Sequence, residues 1–152
     1  LGTPNLGSYE AVRWLTGFNP TQTKLTLLDI TQGTDEIIDL VARYPGLLEL
    51  LPFAPDDPDF AEQSHWLKLK KELGARWDTA ETKDLQEAAA TWKFLKAAPP
   101  DPQHMAYVAG CQPATVIDYQ LSAGDIPFRP DLKRIEFVAT REGGQTWAAQ
   151  TS

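Results

Sequence analysis

Apolar residues recur at helical spacing through the first two thirds of the chain and at strand spacing through the last third. Ser8 followed by Tyr9 to Leu15 reads as a capped helix with Glu10 in its first turn and Gly17 at its end. Asn19-Pro20 offers a cap and a first-turn proline to a second helix over Thr21 to Ile30, with Leu25, Leu28 and Ile30 on one face. Thr34-Asp35-Glu36 starts a third, which carries Ile37, Ile38, Val41 and Tyr44 until Pro45-Gly46 interrupts it, and Leu47 to Leu51 is a further short helical turn. Pro52 to Asp59 is rich in turn residues and is expected to be a surface connection. Two longer helices follow: Ala61 to Leu73, with Trp66, Leu69 and Leu73 inward and Gly74 as its stop, and Thr82 to Ala97, with Leu85, Ala89, Trp92 and Leu95 inward. Pro99-Pro100-Asp101-Pro102 ends the helical part.

Beyond it the period shortens. His104 to Gly110 is a nearly continuous apolar run, as in a strand covered on both faces. Ala114 to Leu121 alternates, placing Ile117, Tyr119 and Leu121 opposite Val116, Asp118 and Gln120, and Arg134 to Thr140 is the third expected strand after a loop over Gly124 to Pro130. The pattern predicts an α/β chain, helix-rich first and then about three strands.

Composition sets limits on this picture. With 152 residues, 42% hydrophobic and 23% charged, the chain can bury one core, and five Trp, six Phe and four Tyr supply large units of burial. A formal charge of −7, from 21 acidic against 14 basic residues, speaks against a nucleic-acid partner, since no face can be uniformly basic. Lys68, Lys70 and Lys71 read as the solvated side of an amphipathic helix. Cys111 stands alone, so an intramolecular disulfide is excluded, and a reducing, cytoplasmic setting is the expectation. No apolar run reaches the roughly 18 residues of a membrane span, and no basic-then-apolar leader opens the chain.

The opening string, Leu1-Gly2-Thr3-Pro4-Asn5-Leu6-Gly7-Ser8, combines glycine freedom, a Pro-Asn turn and a helix cap. It resembles the Gly-Thr-Pro segment of lipase-like α/β hydrolases, in particular their lecithin:cholesterol acyltransferase-like branch, where it follows a central strand beyond the nucleophile elbow. Tyr44-Pro45-Gly46-Leu47-Leu48-Glu49-Leu50-Leu51-Pro52 is similar to a string among that branch's covering helices. Tyr107-Val108-Ala109-Gly110-Cys111, with Thr115 after it, looks like the strand leading towards its acid. The resemblance implies a partial α/β-hydrolase fold in a single partial domain over 1–152. Residues 1–7 would be a strand end and turn, 8–98 the helical cap region and 99–152 the C-terminal core strands. It implies a parent acting on acyl esters by hydrolysis or acyl transfer. The expected partners are the rest of that hydrolase, a second copy joined through an exposed strand edge, and a hydrophobic acyl ligand. The cleft would be lined by Gly2, Thr3, Pro4, Asn5, Glu142, Gly144 and Trp147.

The chemistry itself is missing from the chain. No Gly-x-Ser-x-Gly elbow occurs, and Ser8, Ser64, Ser122 and Ser152 are not glycine-flanked nucleophiles, so no catalytic residue is assigned. Where the branch carries Gly-Asp-Gly, this chain reads Gly143-Gly144-Gln145, with Gly144 at the acid's place and Glu142 two residues away, a displacement that changes direction and reach at a strand end. His65, within an amphipathic helix beside Trp66, reads as a half-exposed packing residue, and His104 lies at the wrong end of its strand for hydrolase catalysis. Two separated histidines and one cysteine do not make a zinc set, and Asp56, Asp57 and Asp59 lack the glycine and distal Glu of a calcium loop. No glycine-rich phosphate motif is present, and no cofactor or metal is expected. The remaining possibilities fall into three classes: a piece of a serine esterase, a non-catalytic hydrolase-like interaction domain, and a free-standing helical binding module.

Overall fold

The structure, a computed structural model, describes residues 7–22, 24, 33–52, 59–97, 103, 114–124, 132–141 and 146–149. Helix α1, Tyr9–Thr16, opens as its sequence requires. Ser8 is extended and its hydroxyl accepts from the Glu10 amide at 3.2 Å, while the Gly17 amide closes the last turn on the Arg13 carbonyl. Ala11, Val12 and Leu15 form its buried stripe. Asn19 caps the next turn through its side chain, which accepts from the Thr21 amide at 2.8 Å, and Pro20 to Gln22 is helical. The apolar positions expected further along it, Leu25, Leu28 and Ile30, lie outside the described residues.

Helix α2, Thr34–Val41, buries Ile38 and packs on α1, with Ala42 buried just past its end. Tyr44 departs from the expected inward face: it is 67% exposed, because its extended backbone turns the chain into the short helix α3, Pro45–Leu48. Helix α4, Gln63–Leu73, starts two residues later than the periodicity suggests. Asp59–Ala61 is a separate 3-10 turn, held by a bond from the Trp66 indole N–H to the Phe60 carbonyl at 3.1 Å. At the other end Gly74 takes φ +63, and a Cβ there would stand 2.6 Å from the Leu132 methyls, so glycine both ends α4 and admits the sheet's approach.

Helix α5, Thr82–Ala97, matches its expected span, with a corrected inward face. Leu85, Ala88 and Trp92 are buried, Ala89 is at the margin and Leu95 is 45% exposed, because the last turn runs past the layer it packs on. The Trp92 indole N–H donates to the Glu49 carbonyl at 2.7 Å, joining α5 to the segment after α3. Between α4 and α5 the irregular stretch around Trp77 and Ala80 is also buried, and Gln63 fastens it by donating to the Ala80 carbonyl and accepting from the Thr82 hydroxyl.

Strands β1, Ala114–Ala123, β2, Lys133–Arg141, and β3, Thr146–Ala149, form an antiparallel sheet in that order. The chain is therefore mixed helix and sheet, as its hydrophobic pattern predicts. β3 is an addition to that prediction, and the run His104 to Gly110 lies outside the described residues. In β2 the alternation is clean, with Ile135, Phe137 and Ala139 buried under the helices. In β1 the register slips between Val116 and Asp118. That bulge reverses the expected faces at the strand's start: Val116 packs against the core with Tyr119 and Leu121, and Ile117 is 43% exposed. α1 and α4 lie on this inner face, and the Arg13 guanidinium sits 4.7 Å over the Phe137 ring.

Candidate functional site

Of the cleft-lining residues the sequence suggests, Gly2, Thr3, Pro4, Asn5, Glu142 and Gly144 lie outside the described residues, as do His104, Cys111, Asp56 and Asp57. Trp147 is placed by its backbone in β3, opposite Ala139. The structure instead gathers polar chemistry around His65, which sequence reasoning took for packing alone.

His65 lies in the first turn of α4, with its amide bonded to the Glu62 carbonyl at 3.0 Å. Its ring stands edge-on to Phe60 at 5.3 Å and at a right angle to Trp66 at 6.1 Å, so two aromatic neighbours fix the imidazole plane. Nε2 is 2.9 Å from the Tyr119 hydroxyl on β1, and Nδ1 is 3.5 Å from Oδ2 of Asp59 in the 3-10 turn. With 17% of its side chain exposed, the imidazole is largely withdrawn from solvent, whereas Asp59 is 58% exposed.

These contacts select a proton arrangement. A neutral imidazole carrying its hydrogen on Nδ1 presents that hydrogen to Asp59 and leaves Nε2 to accept from the Tyr119 hydroxyl. The opposite tautomer would turn a lone pair towards a carboxylate. A protonated imidazole donates from Nε2 to the Tyr119 oxygen and pairs by charge with Asp59 at 3.5 Å. The set is thus a carboxylate, imidazole and phenol in series across the junction of helix and sheet, able to hold or pass a proton at the phenol oxygen.

Beside it lies a cleft of about 210 Å³ lined by Asp59, His65, Lys68, Leu69, Glu72, Tyr119 and Leu121. Glu72 bridges to Lys133 of β2 at 3.4 Å, which pins the far end of α4 to the sheet. A second concavity between α3 and α5, floored by Leu48, Leu85 and Trp92, has only about 10 Å³ of room and is a packing gap. Among the described residues no three His, Cys, Asp or Glu side chains gather as a metal set, and no helix is long and apolar enough to cross a membrane. Family models, curated proteins and solved structures all return no match to this chain. The site must therefore be interpreted from its own geometry.

Proposed function

We propose that this chain is the helical cap and C-terminal strands of a lipase-like α/β hydrolase acting on acyl esters, and that on its own it is catalytically inert. One observation supports the reading above the rest: two of the strings that carry the resemblance meet in space. The Ser8 amide donates to the Leu50 carbonyl at 2.7 Å, and Gly7, at φ +80, lies so close that a Cβ on it would collide with the Leu51 carbonyl oxygen. The glycine before the cap and the Leu-Leu-Pro end of the second string fit each other. The helices lying over one face of a sheet suit a cap, and the absent serine elbow accounts for inertness.

A non-catalytic hydrolase-like binding domain is the second reading. It is favoured by Gly143-Gly144-Gln145 at the acid's place and by a cleft whose polar residues come from the helical layer and β1. Expression of the reading frame extended upstream of Leu1 decides between them. The hydrolase reading expects turnover of p-nitrophenyl esters and fluorophosphonate labelling of a serine outside residues 1–152. An extended, folded product that takes no label overturns it in favour of the binding domain.

A further inference from the structure

We propose that Tyr119 is a nucleophile, activated by His65, that takes up an acyl group from a small uncharged acyl ester in the cleft between α4 and β1. A nucleophilic side chain is marked by a base within hydrogen-bond reach and by a third group that orients the base. Here the phenol oxygen stands 2.9 Å from Nε2 of His65, and Nδ1 of the same ring stands 3.5 Å from the Asp59 carboxylate. The three side chains come from β1, α4 and the 3-10 turn, and the Phe60 and Trp66 rings fix the imidazole plane. With its hydrogen on Nδ1, towards Asp59, the neutral imidazole keeps a lone pair on Nε2 for the phenol proton. Tyr119 also lines the cleft of about 210 Å³, which gives a reactant a way to it.

The charges around the cleft select the donor. Asp59 and Glu72 both line it, so a phosphoryl or other anionic donor meets two carboxylates, whereas an uncharged ester is not repelled. Lys68 lines it too and forms no ion pair among the described residues, which brings a cation to the space where negative charge develops on the acyl oxygen. A volume of about 210 Å³ is smaller than the roughly 300–1,000 Å³ of sites for drug-sized molecules, which suits an acyl group of a few carbons.

The step is one acyl transfer. An ordinary phenol has a pKa of about 10 and an ordinary imidazole one of about 6.5, so the imidazole does not hold the phenol's proton beforehand. His65 takes that proton on Nε2 as the bond from the Tyr119 oxygen to the acyl carbon forms and the phenol becomes acidic. The tetrahedral adduct then collapses: the bond from the acyl carbon to the leaving oxygen breaks, and the proton passes from Nε2 to that oxygen. The products are an aryl ester on Tyr119, a free alcohol and a neutral imidazole. Each chain takes one acyl group, so the event is self-modification and not turnover. It does not rest on the hydrolase reading, whose serine lies outside residues 1–152.

Treatment of the folded chain with p-nitrophenyl acetate, followed by peptide mass spectrometry, tests it, with Tyr44 as the internal control. Tyr44 is 67% exposed and Tyr119 is half-buried beside the imidazole, so labelling governed by access alone reaches Tyr44 first. The proposal expects the reverse order: a burst of about one p-nitrophenolate per chain, with acetyl on Tyr119 well ahead of Tyr44, and loss of that burst in Tyr119→Phe. In His65→Gln the Tyr119 rate should fall about a hundredfold while the Tyr44 rate stays as it is. Should His65→Gln fail to fold, the order of the two tyrosines in the wild-type chain decides alone. Acetylation of Tyr44 ahead of Tyr119, acetyl on Lys68 or His65 with none on Tyr119, or an unchanged Tyr119 rate in folded His65→Gln overturns the proposal.

Discussion

At the scale of single residues, the most constrained of the described glycines is Gly7. Its positive φ already disfavours any side chain, and the Leu51 carbonyl occupies the place of a Cβ. Gly7→Ala must therefore push the start of α1 away from Leu50 and Leu51 and give up the 2.7 Å bond from Ser8. A loss above about 2 kcal/mol is expected in chemical denaturation; a midpoint within error of wild type would show that this junction is looser than drawn. Trp92 is a second such point, 6% exposed and bonded through its indole to Glu49. Trp92→Ala should cost about 3–5 kcal/mol. Trp92→Phe keeps most of the ring but leaves the Glu49 carbonyl without its donor, so about 1–3 kcal/mol is expected from that variant. A Trp92→Phe variant as stable as wild type would mean that the hydrogen bond carries nothing. Gly7 was legible as a turn glycine and Trp92 as a core residue. The carbonyls they meet lie 44 and 43 residues away in sequence, which no local pattern encodes.

At the scale of elements, caps and stops were readable because they act within a few residues: Ser8 on Glu10, Asn19 on Thr21, Gly74 on the end of α4. Faces were readable only where the element stayed regular. β2 alternates without interruption, and Ile135, Phe137 and Ala139 are where its period puts them. β1 contains one extra residue between Val116 and Asp118, and period-two reasoning has no means of seeing an insertion that the partner strand absorbs. The consequence is measurable. Ile135→Ala, at a fully buried site, should destabilise by about 2–5 kcal/mol, whereas Ile117→Ala, on the strand's exposed side, should cost under about 1 kcal/mol. Comparable losses at the two positions would put the bulge elsewhere. The same geometry explains why the site was missed. His65 and Tyr119 each look like core aromatics in their own element, and only the packing of α4 against the sheet brings Nε2 and the phenol to 2.9 Å.

At the scale of the whole molecule, a helical layer lies on one face of a small antiparallel sheet, and the other face carries Gln120, Ser122 and Glu136 beside Val138 and the half-exposed Ile117. Gln120 and Ser122 of β1 both donate to the Glu136 carboxylate of β2, at 3.2 and 3.0 Å, a solvated arrangement that needs no further layer. The excess of acidic residues adds repulsion between copies. The edges are different. Among the described residues β1 and β3 are the outer strands, and an outer strand offers a row of amides and carbonyls in register, so pairing with a second chain satisfies many groups at once. If the chain belongs to a larger hydrolase, that edge is where the remainder would join, and in its absence a second copy is the available substitute. Sedimentation velocity across a rising concentration series should then show a monomer giving way to a dimer. Because edge pairing is made of backbone hydrogen bonds, the dimer should persist in high salt, whereas association through charged side chains would dissolve. A chain that stays monomeric and folded into the high micromolar range would favour the self-contained binding domain over the severed one.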